Sequence, residues 1–115
     1  MSTQVDLEYL KEISDGDDEF LRDLLESFVN QTPEMVTGLI RFIKEEDWES
    51  AAKRAHKLKP TFEYVGLIAI RDNMEFIEKT IKNDGDISKI QGMTLAMKPE
   101  IESAIDEVKS ILQTL

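Results

Sequence analysis

Apolar residues return every three or four positions along nearly the whole chain, and no stretch alternates apolar with polar for long enough to make a strand. The pattern predicts an all-α fold. Leu7, Leu10 and Ile13 share one side of a short first helix over Val5 to Ile13, and the following SDGDD supplies a glycine stop and the next N-cap. A second helix starts near Asp17 or Asp18 and buries Leu21, Leu24, Leu25, Phe28 and Val29, with Phe20 also assigned to the core, and then Val36, Leu39, Ile40 and Ile43. Thr32 and Pro33 separate the two sets and predict a kink or a brief break, because an interior proline removes a helical hydrogen bond. Asp47 in EEDW caps a third helix whose buried stripe is Trp48, Ala51 or Ala52, Ala55, Leu58, Phe62 and Val65, interrupted at Gly66. The fourth helix, from about Ile68 to Asn83, carries Ile70, Met74, Ile77 and Ile81 and ends at NDGD. The fifth, from about Ile87 to Leu112, carries Ile90, Met93, Met97, Ile101, Ala104, Ile105, Val108 and Leu112, with a bend expected at Pro99. Four long helices on short connections make an antiparallel up-down four-helix bundle, to which the short N-terminal helix is an addition. No repeat, low-complexity segment or linker divides the chain, so residues 1–115 are read as a single helical bundle domain.

Composition narrows the chemistry. A chain of 115 residues can bury one core and is too short for two. The lack of cysteine removes disulfides, thiolate nucleophiles and Cys-based zinc sites, and suits a reducing compartment. MSTQVDLEYL has neither the basic nor the apolar region of a signal peptide, and VGLIAI is too short to cross a bilayer, so a cytoplasmic location is expected. A net charge of -10 argues against nucleic-acid and anionic-membrane partners, whose phosphates call for Lys and Arg. The charge is uneven, however. Lys53, Arg54, Lys57 and Lys59 crowd around His56, the single histidine, with no acidic residue among them.

A di-metal site in a helical bundle needs Glu-x-x-His on two helices, whereas here Lys53 stands three residues before the lone histidine, so no metal is expected. There is no glycine-rich phosphate loop, no Walker lysine and no set of partners for a hydrolytic triad. What remains is the chemistry of one imidazole. His56, Lys59, Pro60 and Glu63, spaced at three, four and seven, fall on one face of the third helix beside its buried stripe. Neutral imidazole is a nucleophile, and a phosphoryl group on it would meet the Lys59 ammonium. Near a protein surface that attraction is about 4 kcal/mol at about 4 Å, enough to help hold the group and far short of catalysis.

HKLKPTFEYVG carries His-x-Leu-Lys in His56, Leu58 and Lys59, with Gly66 ten positions after the histidine, and so resembles the histidine-containing phosphotransfer (HPt) domain of bacterial two-component phosphorelays. FLRDLLESFVNQTPEMVTGLIRFIKEEDWESAAKRAHKLK is similar to that family's long second helix, Asp-Trp turn and active helix in succession. The resemblance implies that His56 accepts a phosphoryl group from a receiver-domain aspartyl phosphate and passes it to another response regulator. It implies receiver domains and a hybrid histidine kinase as partners, no kinase or ATP-binding activity, and no cofactor on this chain, Mg being held by the receiver. A monomer is expected. Lys59 would steady phosphoryl oxygens. Glu78, twenty-two residues after the histidine, occupies a position where several family members have a glutamine bonded to the ring; a carboxylate there can accept the Nδ1 proton and leave the Nε2 lone pair facing out.

Two residues depart from the family pattern. Pro60 stands where a glycine is usual, and the expectation is that its kink opens a groove beside His56, with Pro60 and Gly66 together shaping access. Glu63 stands where a small residue is usual, and should project near the phosphoryl site and repel both the phosphate and an acidic receiver pocket. Lys53, Lys57 and Glu63 are docking candidates, and by the resemblance Tyr9, Ile13 or Phe20 forms an apolar docking patch, although core packing is the preferred reading for Phe20. The alternative function is a catalytically inactive HPt-like docking or adaptor bundle; a metal or hydrolytic enzyme lacks its ligands.

Overall fold

The computed structural model describes residues 5–115, which form five α-helices and, among the described residues, no strand. They are α1 (Glu8–Ser14), α2 (Asp18–Lys44), α3 (Trp48–Tyr64), α4 (Ile68–Lys82) and α5 (Ser88–Thr114). The long helices make the antiparallel four-helix bundle, with α3 packed against α4 and α2, α5 mainly against α2, and α1 added on α2. Among the described residues, no helix is long and apolar enough to cross a membrane.

Local chemistry sets the helix starts. The Asp17 carboxylate accepts the Phe20 N–H at 3.0 Å and opens α2, and the Asp47 carboxylate accepts the Ser50 N–H at 3.3 Å and opens α3. By contrast, α1 begins at Glu8 and not at Val5 as the periodicity predicts. The cause lies in residues 5–7, which run as a strap. The Asp6 carboxylate accepts the Glu8 N–H at 3.0 Å, the Asp6 N–H donates to the Val65 carbonyl at 2.9 Å, and the Val5 N–H donates to the Glu107 carboxylate on α5 at 3.1 Å. Gly66 makes room for this strap. Its φ of 76° turns the chain between α3 and α4, and a Cβ there would overlap the Cβ and backbone of Asp6.

The core is a continuous set of Leu, Ile, Val, Ala, Met and Phe side chains from all five helices, with Phe28 of α2 and Phe62 of α3 meeting edge to face at 6.3 Å. Its buried members bear on the three interior prolines. No break occurs at Thr32–Pro33: α2 runs unbroken through Pro33, with Phe28, Thr32, Val36 and Leu39 buried on either side of it. Burial of both halves in one core outweighs the single hydrogen bond that proline removes. For the same reason α3 continues through Pro60 and α5 through Gly92 and Pro99.

The buried stripe is narrower than expected. Phe20 is 43% exposed, a correction to its core assignment, because the inward face of α2 is centred on Leu21, Leu25 and Phe28 and leaves position 20 on the flank. Ile13 is likewise exposed, and Trp48, Ile81, Met93 and Leu112 only pack against the edge of the core.

Candidate functional site

Packing of α3 on α4 brings together residues twenty-two positions apart. His56 follows the fully buried Ala55 and turns outward, its side chain 66% exposed. Facing it from α4 is Glu78, next to the buried Ile77 and itself only 4% exposed. Its Oε2 lies 2.9 Å from His56 Nδ1, its Oε1 2.7 Å from Lys59 Nζ, and Oε2 is also 2.9 Å from Lys82 Nζ. Burial alone would push the Glu78 carboxyl up; the hydrogen bonds from Lys59 and Lys82, then the charges of Lys59 and His56, outweigh it and bring the carboxyl from 4.5 down to about 2. Glu78 is therefore ionised at neutral pH and can only accept hydrogen bonds. A neutral His56 ring bonded to it carries its proton on Nδ1, which leaves the Nε2 lone pair at the exposed edge.

An open hollow of about 680 Å³ adjoins the imidazole, lined by side chains that include Lys53, Lys57, Ile81 and Lys82 together with His56 and Glu78. Pro60 and Gly66 lie outside that lining. α3 runs unbroken through Pro60, and the space beside His56 is lined by side chains N-terminal to the proline and by α4. Gly66 is ten residues further along, past the end of α3, and serves the α3–α4 corner and the strap.

Glu63 also departs from its expected direction. Its Oε1 lies 2.6 Å from Nη1 of Arg71 on α4, and Arg71 also reaches Asp72 Oδ1 at 2.8 Å. The carboxylate is thus drawn to the α3–α4 corner, where it shares the Arg71 guanidinium with Asp72, whereas the sequence expectation places it near the phosphoryl site. The basic cluster also divides. Lys53 pairs with Glu49 at 3.4 Å, while Arg54 turns inward, donating to the Met35 carbonyl at 3.1 Å across Gly38, where a Cβ would overlap its guanidinium. Tyr9 stacks on Tyr64 of α3 with ring centroids 5.9 Å apart, and Tyr9, Ile13, Phe20, Tyr64 and Ile68 are all exposed.

Sequence reasoning passed over Lys82 and Arg71. Lys82 carried a usable signal, being four residues after Glu78 on one helix. Arg71 carried none, since its partner lies on another helix around the corner. Among the described residues, no three His, Cys, Asp or Glu side chains cluster as a metal site.

The family model described as Hpt domain matches residues 23–111, which take in nearly all of α2 to α5 and leave out α1. The chain is similar to the phosphorelay intermediate protein rdeA of Dictyostelium discoideum, with 29% identity over 107 residues that cover 93% of this chain and 40% of the relative. The chain thus spans about two fifths of the length of that curated relative. No solved structure matches.

Proposed function

The chain belongs to the Hpt domain family, and from that premise we propose that it is a phosphorelay intermediate whose phosphoacceptor is His56. The Nε2 lone pair attacks the phosphorus of a receiver's aspartyl phosphate as the acyl P–O bond breaks, its electron pair staying on the aspartate. The Nδ1 proton remains bonded to Glu78 throughout. Donation to a second receiver reverses these events and returns a neutral imidazole.

The contact that carries this reading is the 2.9 Å approach of His56 Nδ1 to the buried, ionised Glu78. It orients the ring and exposes the nucleophilic nitrogen, which is all that a partner bringing its own Mg and acidic pocket requires. Lys59, one turn along α3, is assigned to the phosphoryl oxygens. Lys53 and Lys57 beside the hollow, together with the exposed Tyr9, Ile13 and Phe20, are assigned to receiver docking. In this reading residues 1–115 act as one cytoplasmic module, a monomer between a hybrid kinase and a response regulator. The relative named as a phosphorelay intermediate supports the role. The Glu63–Arg71 pairing weakens the case for a docking-only bundle, because it turns toward α4 the carboxylate on which that case stood.

The test is to incubate the protein and its His56→Gln variant with a panel of phosphorylated receiver domains and to detect acid-labile phosphate on the chain. Label on the wild type alone is the expected result. A folded wild type that no receiver labels would replace this reading with the docking bundle.

A further inference from the structure

The Glu78 carboxylate has two ammonium partners on different helices, and they are not equivalent. Lys59 comes from α3, one turn after His56, is largely covered, and takes Oε1 at 2.7 Å. Lys82 comes from α4, one turn after Glu78, is 63% exposed, and takes Oε2 at 2.9 Å, the same oxygen that meets His56 Nδ1. An ordinary exposed pair four residues apart on a helix contributes little. This one is different because its carboxylate is buried and orients the ring. A buried carboxylate left without a cation loses its charge or its position.

The geometry points to Lys82 as a positioning residue for His56, one that holds Glu78 on Nδ1 independently of Lys59 and so releases Lys59 to a phosphoryl group. The second half of this inference rests on the phosphorelay reading; the first half holds for the unmodified chain. Charge accounting supports the division of labour. With a neutral imidazole, the carboxylate and two ammoniums leave the site with one net positive charge. When the Nε2 lone pair forms the N–P bond and Nδ1 keeps its proton, the ring becomes cationic and the phosphoryl group brings two negative charges, so the site becomes neutral. Without Lys82 the same event would leave a net negative charge around a buried carboxylate, with the single ammonium of Lys59 shared between phosphate and Glu78. No proton enters or leaves in either direction.

The single histidine makes the test direct, since ¹⁵N-labelled protein gives one set of imidazole signals. At about pH 8.5, above the ordinary imidazole range, wild type and Lys59→Met should both show the Nδ1–H tautomer, because Lys82 remains to hold Glu78. The Lys59→Met/Lys82→Met double variant should revert toward the Nε2–H tautomer of free histidine. Should the double variant fail to fold, Lys59→Met decides alone: a scrambled tautomer in that folded single variant overturns the inference. A second arm uses a phosphorylated receiver. Lys82→Met should then load roughly tenfold less phosphate, the scale on which groups that orient a reacting side chain act, and Lys82→Arg should restore it. Loading of Lys82→Met equal to wild type would overturn the inference. If wild type itself takes no label, the phosphorelay reading fails, while the tautomer arm still decides whether Lys82 holds Glu78.

Discussion

Glu63 and Arg71 meet across the α3–α4 corner, with Oε1 2.6 Å from Nη1, and the bond turns a carboxylate on the histidine-bearing face toward the neighbouring helix. It joins the last turn of α3 to the first turn of α4.

Removing the guanidinium should release that carboxylate. Arg71→Ala is expected to cost no more than about 1 kcal/mol of stability, as exposed pairs do, but to slow phosphotransfer from a receiver several-fold, most at low salt where charge repulsion is least screened. The Arg71→Ala/Glu63→Ala double variant should recover the rate. A double variant as slow as the single one would show that repulsion by Glu63 is not the cause.

The acid limb of stability should carry the mark of Glu78. Its carboxyl titrates at about 2 in the folded chain against 4.5 ordinarily. A folded value below the unfolded one stabilises above 4.5, and that stabilisation is lost as pH falls from 4.5 toward 2. The shift corresponds to about 3 kcal/mol as an upper bound. Urea unfolding at about pH 5 and about pH 2.5 should show wild type losing more stability over the interval than Glu78→Gln; equal losses would mean that the carboxylate is no better held folded than unfolded.

Gly66→Ala should be costly twice over. A Cβ at φ 76° carries a left-handed penalty of about 1–2 kcal/mol, and the overlap with Asp6 must also displace the strap. A fall in Tm of roughly 10 °C is expected. Gly66→Asn tolerates the backbone angle but not the overlap, so a near-native Tm for Asn would assign the whole effect to φ.

Pro60→Ala should stabilise. Alanine restores an N–H to face the His56 carbonyl within a helix that is already continuous, recovering some of the about 3 kcal/mol that an interior proline costs. Chemical denaturation reads the change, and an unchanged midpoint would mean that α3 has fully accommodated the ring.

Most of the fold was legible because the three-and-four spacing of residues such as Leu21, Leu25 and Phe28 is a local property of one helix. The same spacing is blurred by one flank, which is why Phe20 reads as core from spacing alone and yet lies exposed. Pro33 misled in the opposite way: its cost is local, while the burial that overrides it comes from other helices. At the site, His56, Lys59 and Glu63 could be grouped from their spacing on one face. Glu78 could be nominated only through the family resemblance. The direction of Glu63 could not be read at all, because it depends on how tightly the chain turns at Gly66 to bring Arg71 alongside.

That corner and the strap beneath it also imply an order of events in folding. The helices next to each other in sequence, α3 and α4, can pair across a short turn, whereas the bond from Val5 to Glu107 closes a loop spanning 102 positions. Chain entropy makes such long closures expensive until both ends are already held. The strap is therefore the contact expected to lock last as the bundle assembles and to let go first as it opens, so that the N-terminal segment reports on the completeness of the fold without directing it.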